Sequence, residues 1–283
     1  MPKIIKQCYR DKTEQGSRHL FRFFMLILLA ESKTMSVDQN DIDAATFENN
    51  KPFFENDADA IMAYIERLSP LEISDILGIS LQLAVKAHTL AYDFPHKPRG
   101  YEALYGYTGE AFKALQAETL GKEATKQAFD RLWMVSSVYG LLKSSDIIKP
   151  YRCEFNKPII ERGKTPAQFY KSKNTIELAR HIKSNKITDV INLLPGDADK
   201  CIDWKIIRAF AKVHKIVFQT ITPEGRLKTP IAKRLKELRG TMARTILLQN
   251  IKSFKELTVV ESPEFIYSPT DSKPLLPVFI TNP

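Results

Sequence analysis

Residues 18–33 read RHLFRFFMLILLAESK, and the reading of this stretch decides the fold. A basic lead, an apolar run of about eight residues from Phe23 to Ala30, and an Ala-x-Ser together mimic a secretory signal peptide. The run is far too short to span a membrane, which takes about 20 apolar residues. The competing reading makes MLILLA, Met25 to Ala30, a buried first strand. The basic segment before Met25 has no core-forming periodicity. We therefore prefer the strand reading. Residues 1–24 are then a disordered extension from an upstream start, ahead of a single domain over 25–283.

The composition fits a globular chain. Of 283 residues, 43% are hydrophobic and 27% charged, which allows a sizeable core. Three cysteines, Cys8, Cys153 and Cys201, have neither disulfide-framework nor zinc spacing, so a reducing compartment is expected. The five histidines form no metal-ligand cluster, and no metal or cofactor is expected. The net charge of +9 is unevenly spread. Residues 205–252 carry twelve Lys or Arg against Glu224 and Glu237, while Asp and Glu gather between residues 38 and 75. One basic region on an otherwise acidic chain suggests a polyanionic partner.

The densest part of that region is PIAKRLKELRGTMAR, residues 230–244. Ile231, Leu235, Leu238, Met242 and Ile246 form the apolar stripe of an amphipathic helix. Thr229 suits the N-cap and Pro230 the first helical position. Lys233, Arg234, Lys236 and Arg244 fall on the far side, as an ordinary solvated face would. Arg239 lies only about 40° from Leu235, on the edge of the apolar face. A partly buried arginine needs a carboxylate, a phosphate or carbonyls.

A second informative stretch is LSPLEISDILGISLQLAVKAHTLAY, residues 68–92. Ser69-Pro-Leu-Glu72 has the form of a capping box, Gly78 ends the helix, and Ser80 can cap another. The outline is that of a helix-hairpin-helix, which would present Gly78, Ile79 and Ser80 to a nucleic-acid phosphate. Any αα-hairpin shares that outline.

Elsewhere, helices are expected at 57–67, 109–116, 122–131 and 166–185. ITDVINLL and KIVFQTI read as strands, LWMVSSVYGLL as a strand turning into helix, and the tail as short β runs near 257–260, 264–267 and 277–280. Strands and helices mix without a βαβ rhythm, so the class is α+β: a single compact domain with a mixed sheet surrounded by helices. No Walker A sequence, GxGxxG, HExxH or GxSxG is present. What remains is a set of polar residues beside apolar runs: Lys33, Asp146, Arg152, Glu154 and Asn192. Arg152 can simply pair with Glu154, or Lys33, Arg152, Lys200 and Arg239 can converge on one anion; the sequence leaves both open.

Ordered blocks from Met25 onward resemble the YaaA family, also called DUF328 or UPF0246. They are MLILLAESKTM, YGYTGEAFKAL, SSVYGLLKSSDIIKPYRCEF, AQFYKSKNT, INLLPGDADK and LRGTMART. The third is the most specific, with Ser136, Tyr139, Gly140, Leu142, Asp146, Pro150, Tyr151, Arg152 and Glu154 at the family's spacing. The resemblance implies a compact α+β fold, a cytoplasmic bacterial protein starting at Met25, and DNA binding through a basic cleft and a helix-hairpin-helix under peroxide stress. It also implies a role in protecting DNA and limiting free iron. The chain departs from the family pattern at several points. Ala30-Glu31 stands for the usual Ser-Pro and Gly109-Glu110 for Gly-Asp; Phe112 replaces a Tyr, and Pro195-Gly-Asp-Ala198 replaces Ser-x-Glu-Tyr.

Three hypotheses follow. The first is a DNA-binding protein reading shape through phosphate contacts at Gly78, Ile79, Ser80, Lys233, Arg234, Lys236, Arg239 and Arg244. The second is an enzyme on a nucleotide or nucleic-acid substrate, with a site built from Lys33, Arg152, Glu154 and Arg239. The third, a secreted or membrane-surface protein, rests on the N-terminal stretch alone. No membrane partner is expected, and a monomer is preferred.

Overall fold

In the computed structural model the described residues are 25–36, 50–96 and 100–282. The extension expected over residues 1–24 lies outside them. Strand β1, Met25–Ala30, is buried along its whole length. Both faces of the strand meet apolar neighbours: Met25, Ile27 and Leu29 join one core cluster, and Leu26, Leu28 and Ala30 the other. Such a strand reads as a continuous apolar run, which is why it resembles a signal peptide. Cleavage at the Ala-x-Ser would delete this strand, so MLILLA belongs to the folded core.

The other strands are β2 (Tyr101–Glu102), β3 (Leu132–Ser136), β4 (Gly140–Lys143), β5 (Ile147–Ile148), β6 (Asp189–Asn192), β7 (Lys212–Lys215), β8 (Val217–Ile221), β9 (Leu227–Lys228), β10 (Phe265–Lys273) and β11 (Leu276–Thr281). Among the described residues the helices of six residues or more are α1 (Glu55–Glu66), α2 (Pro70–Leu77), α3 (Leu81–Asp93), α4 (Glu110–Leu115), α5 (Gly121–Arg131), α6 (Pro166–Asn185) and α7 (Ala232–Leu248). The main sheet has the order β4-β3-β1-β6-β7. β1 pairs in parallel with β3 (Ala30 opposite Val135) and with β6 (Leu28 opposite Asn192). A second sheet, β10-β11-β8-β9, and the small β2-β5 pair complete a mixed α+β architecture.

β1 therefore lies between strands that follow it in sequence on both sides. The chain leaves β1 toward β3 and leaves β6 toward β7, in opposite directions. Connections that diverge in this way open a crevice beyond the carboxyl ends of the parallel strands.

Several expectations change. LWMVSSVYGLL does not turn into helix; β3 reverses into antiparallel β4. Ser136 Oγ accepts from the N–H groups of Val138 and Tyr139 at 3.1 and 2.9 Å, which closes the turn. Gly140 follows at φ +66°, where a Cβ would sit 2.6 Å from the Tyr170 ring. Helix α7 begins at Ala232 with Ile231 as its N-cap, so Thr229 and Pro230 precede it. Residues 257–260 are not strand; Phe254–Leu257 is a helical turn. KVHK, with little apolar content of its own, is strand β7 because β6 supplies its register.

The Ser69–Asp93 region is a helix pair, as the caps predict. Ser69 and Glu72 form a capping box, Gly78 is left-handed at φ 64°, and the Ser80 hydroxyl accepts from Leu83 N–H.

Candidate anion and nucleic-acid site

A cavity of about 440 Å³ opens beyond the carboxyl end of β1. Four segments far apart in sequence line it: Leu29–Thr34, Gly109–Phe112, Cys153–Phe155, and Pro195 with Asp197. Lys236 and Arg239 of α7 complete the wall. Two glycines permit this convergence. A Cβ on Gly240 would meet Ala111 O at 1.8 Å, so only glycine lets α7 lie against α4. A Cβ on Gly109 would meet Ser32 Oγ at 2.1 Å, so glycine also sets the approach of α4 to the loop after β1.

The structure gathers Lys33, Arg152, Glu154 and Arg239 in and beside this cavity, in two different electrostatic states. Lys33 Nζ lies 2.6 Å from Glu154 Oε2, and Arg152 Nη2 lies 3.7 Å from Glu154 Oε1. Arg152 Nη1 also donates to Lys33 O at 3.3 Å, while its Nε is buried without a partner. Two cations thus share one carboxylate, and both are engaged with it. Arg239 is different. It is half-buried and pairs with no carboxylate among the described residues, and burial lowers its pKa.

The family departure at Glu31 has a structural counterpart. Glu31 Oε2 accepts from Ser137 N–H at 2.8 Å and from the Tyr151 hydroxyl. Tyr151 Oη in turn lies 2.7 Å from both Tyr107 Oη and Ser136 Oγ. Burial raises the Glu31 pKa to about 7, partly opposed by these hydrogen bonds. At neutral pH the carboxyl therefore populates both the acid and the carboxylate. The sequence reading passed over Glu31 as a site residue. The available signal was a carboxylate placed directly after a fully apolar strand, where parallel sheets carry their sites.

The other expected site residues are dispersed. Asp146 Oδ2 accepts from Lys143 N–H at 2.9 Å in the turn after β4, at the opposite end of β3. Burial lifts its pKa to about 7, and its place is in the turn rather than the cavity. Asn192, at the end of β6, donates to Asp199 Oδ1 at 2.8 Å, and Lys215 Nζ reaches the same oxygen at 2.6 Å. Lys200 is exposed, 3.8 Å from Asp197, and does not line the cavity. Arg244 donates to Leu115 O and Gln116 O at 2.9 and 3.0 Å and so caps the carboxyl end of α4. Arg234 pairs with Glu264 at 2.6 Å. Lys233 stays exposed near Glu110 and Glu237, at 3.8 and 3.9 Å.

At the helix-pair turn, Gly78 and Ile79 both donate their N–H groups to Ser74 O, at 2.8 and 3.2 Å. Those donors are engaged within the chain, and the segment from Ser69 to Asp93 carries Glu72, Asp75 and Asp93 against Lys86. The cationic surface lies on α7 instead.

Cys153 lines the cavity as a buried free thiol with its pKa pushed up to about 12 by burial. It presents almost no thiolate at neutral pH, the form that reacts with peroxide. Among the described residues no group of three or more His, Cys, Asp or Glu gathers as a metal site would, and no helix is long and apolar enough to cross a membrane.

Comparison with known proteins places the chain. It is 26% identical over 266 residues to a UPF0246 protein of Shewanella sediminis, covering 90% of this chain and 98% of that one. A UPF0246 protein of Alcanivorax borkumensis is 27% identical over 262 residues, again 90% and 98%. One from Francisella philomiragia is 26% identical over 246 residues, 84% and 93%. The family described as peroxide stress protein YaaA matches residues 25–271, from the first residue of β1 into β10, and the chain belongs to that family.

Proposed function

We propose that this protein serves the peroxide stress response by binding DNA through its phosphates, along the exposed face of α7 and the adjoining cavity. The observation that carries this reading is Arg239. A guanidinium held half-buried in a cavity wall, with no carboxylate partner among the described residues, is costly unless an anionic ligand completes it. Lys236, one turn earlier and exposed, extends the cationic surface outward. Lys233 is exposed on the same helix. With few side chains placed to read base edges, preference should follow DNA shape rather than sequence.

Fluorescence anisotropy with duplex, bulged and junction DNA over a salt series tests the reading. Binding should weaken steeply with salt, because each neutralised phosphate releases counterions. Arg239→Ala should lower affinity at least tenfold. Affinity that ignores both salt and this substitution overturns the proposal.

A second reading, an enzyme acting on a nucleotide or nucleic acid, is favoured by Glu31. A carboxyl that titrates near neutral pH beside a cationic wall is suited to general acid–base work. Turnover of a nucleotide library that disappears in Glu31→Gln would establish it.

A further inference from the structure

The cavity has features that phosphate binding alone does not use. Its buried residues include Leu29, Phe112 and Phe155, whereas Lys33 and Lys236 are exposed at its rim. The volume of about 440 Å³ falls in the range of small-molecule sites, roughly 300–1,000 Å³. One polar group within it is held in place. Glu31 Oε2 accepts from the Ser137 N–H and the Tyr151 hydroxyl, which fixes the carboxyl at the cavity wall. A fixed carboxyl beside buried aromatic rings can take the hydrogen-bonding edge of a flat heterocycle stacked among those rings.

We propose that this cavity binds one nucleobase with its attached phosphate, the base set among Phe112, Phe155 and the Glu31 carboxyl and the phosphate on Arg239. The inference rests on the assignment of Arg239 as a phosphate ligand. Lys33 is already paired with Glu154 at 2.6 Å, so it is the weaker candidate for the phosphate. The base can come from two sources: a nucleotide extruded from bound DNA, as in enzymes that flip bases, or a free nucleotide.

The test uses 2-aminopurine, whose fluorescence rises when it leaves a base stack. In one arm the full chain is titrated into a duplex carrying 2-aminopurine opposite a mismatched cytosine, with anisotropy reporting saturation. In the other, 2-aminopurine riboside 5′-monophosphate is followed by equilibrium dialysis. Ala111→Trp fills the cavity; should it fail to fold, Thr34→Trp at the exposed rim replaces it.

A several-fold rise with saturated duplex, abolished by the tryptophan variant, supports an extruded base. No rise, with dialysis binding of the free monophosphate that the variant weakens at least tenfold, supports a free nucleotide. Unchanged fluorescence on saturated duplex together with no retention of the monophosphate overturns the inference while leaving DNA binding intact. Absence of any duplex binding counts against the DNA reading alone, and the dialysis arm then decides the cavity.

Discussion

Glu31 and Arg239 are both held where their charged forms are disfavoured by burial, and each carries a separable prediction. The folded chain keeps a proton on Glu31 up to about pH 7, against an ordinary value near 4.5. Below the lower value both folded and unfolded states are protonated and the group is neutral to stability. As pH rises through the window to 7, ionisation favours the unfolded chain, so stability falls. Glu31→Gln removes that penalty. Its melting temperature should exceed the parent's at pH 8 and match it near pH 4.5, by thermal denaturation at both pH values. Arg244 supplies the contrast to Arg239. Arg244→Ala leaves two carbonyls at the end of α4 without their donor and should destabilise by about 1–3 kcal/mol in chemical denaturation. Both arginines lie on one helix, so sequence spacing could not assign one to the cavity and the other to a cap. The difference lies in what packs beside each.

At the scale of elements, local signals were legible wherever a cap or a long period existed. Helix α6 occupies residues 166–185, as expected, and the Ser69–Glu72 capping box forms. Removing the cap hydroxyl with Ser69→Ala should cost about 1 kcal/mol. The failures are elements whose conformation depends on a distant partner. β7 is a strand because β6 pairs with it, and the β3–β4 reversal is shaped by the Ser136 turn and by Tyr170 packing against Gly140. The contact of α7 with α4 also depends on distance in sequence, since Gly240 must meet Ala111 O. Gly240→Ala should separate the two helices, cost at least about 1–3 kcal/mol, and weaken DNA binding through displacement of Arg239 and Lys236. Gly225→Ala, in an open turn at φ +76°, tests whether the binding loss is specific: it should be destabilising without loss of affinity.

At the scale of the whole molecule, charge and concavity coincide. The +9 chain places its cationic helix against a cavity beyond the parallel strands. Lys236→Glu, at an exposed position, should weaken DNA binding across all sequences and reduce the slope of log affinity against log salt by at least about one, measured by anisotropy. The sequence by itself determined that MLILLA is a core strand, that the stripe from Ile231 to Ile246 marks a basic amphipathic helix, and that ordered blocks carry the family pattern. Each of these is written in nearest-neighbour periodicity or in residue identity. Only the tertiary structure decided that Glu31, Lys33, Glu154 and Arg239 share one cavity while Asp146, Lys200 and Arg244 stand apart from it. That choice depends on strand order and on two glycine contacts between segments more than 70 residues apart, and no local pattern in the chain encodes it.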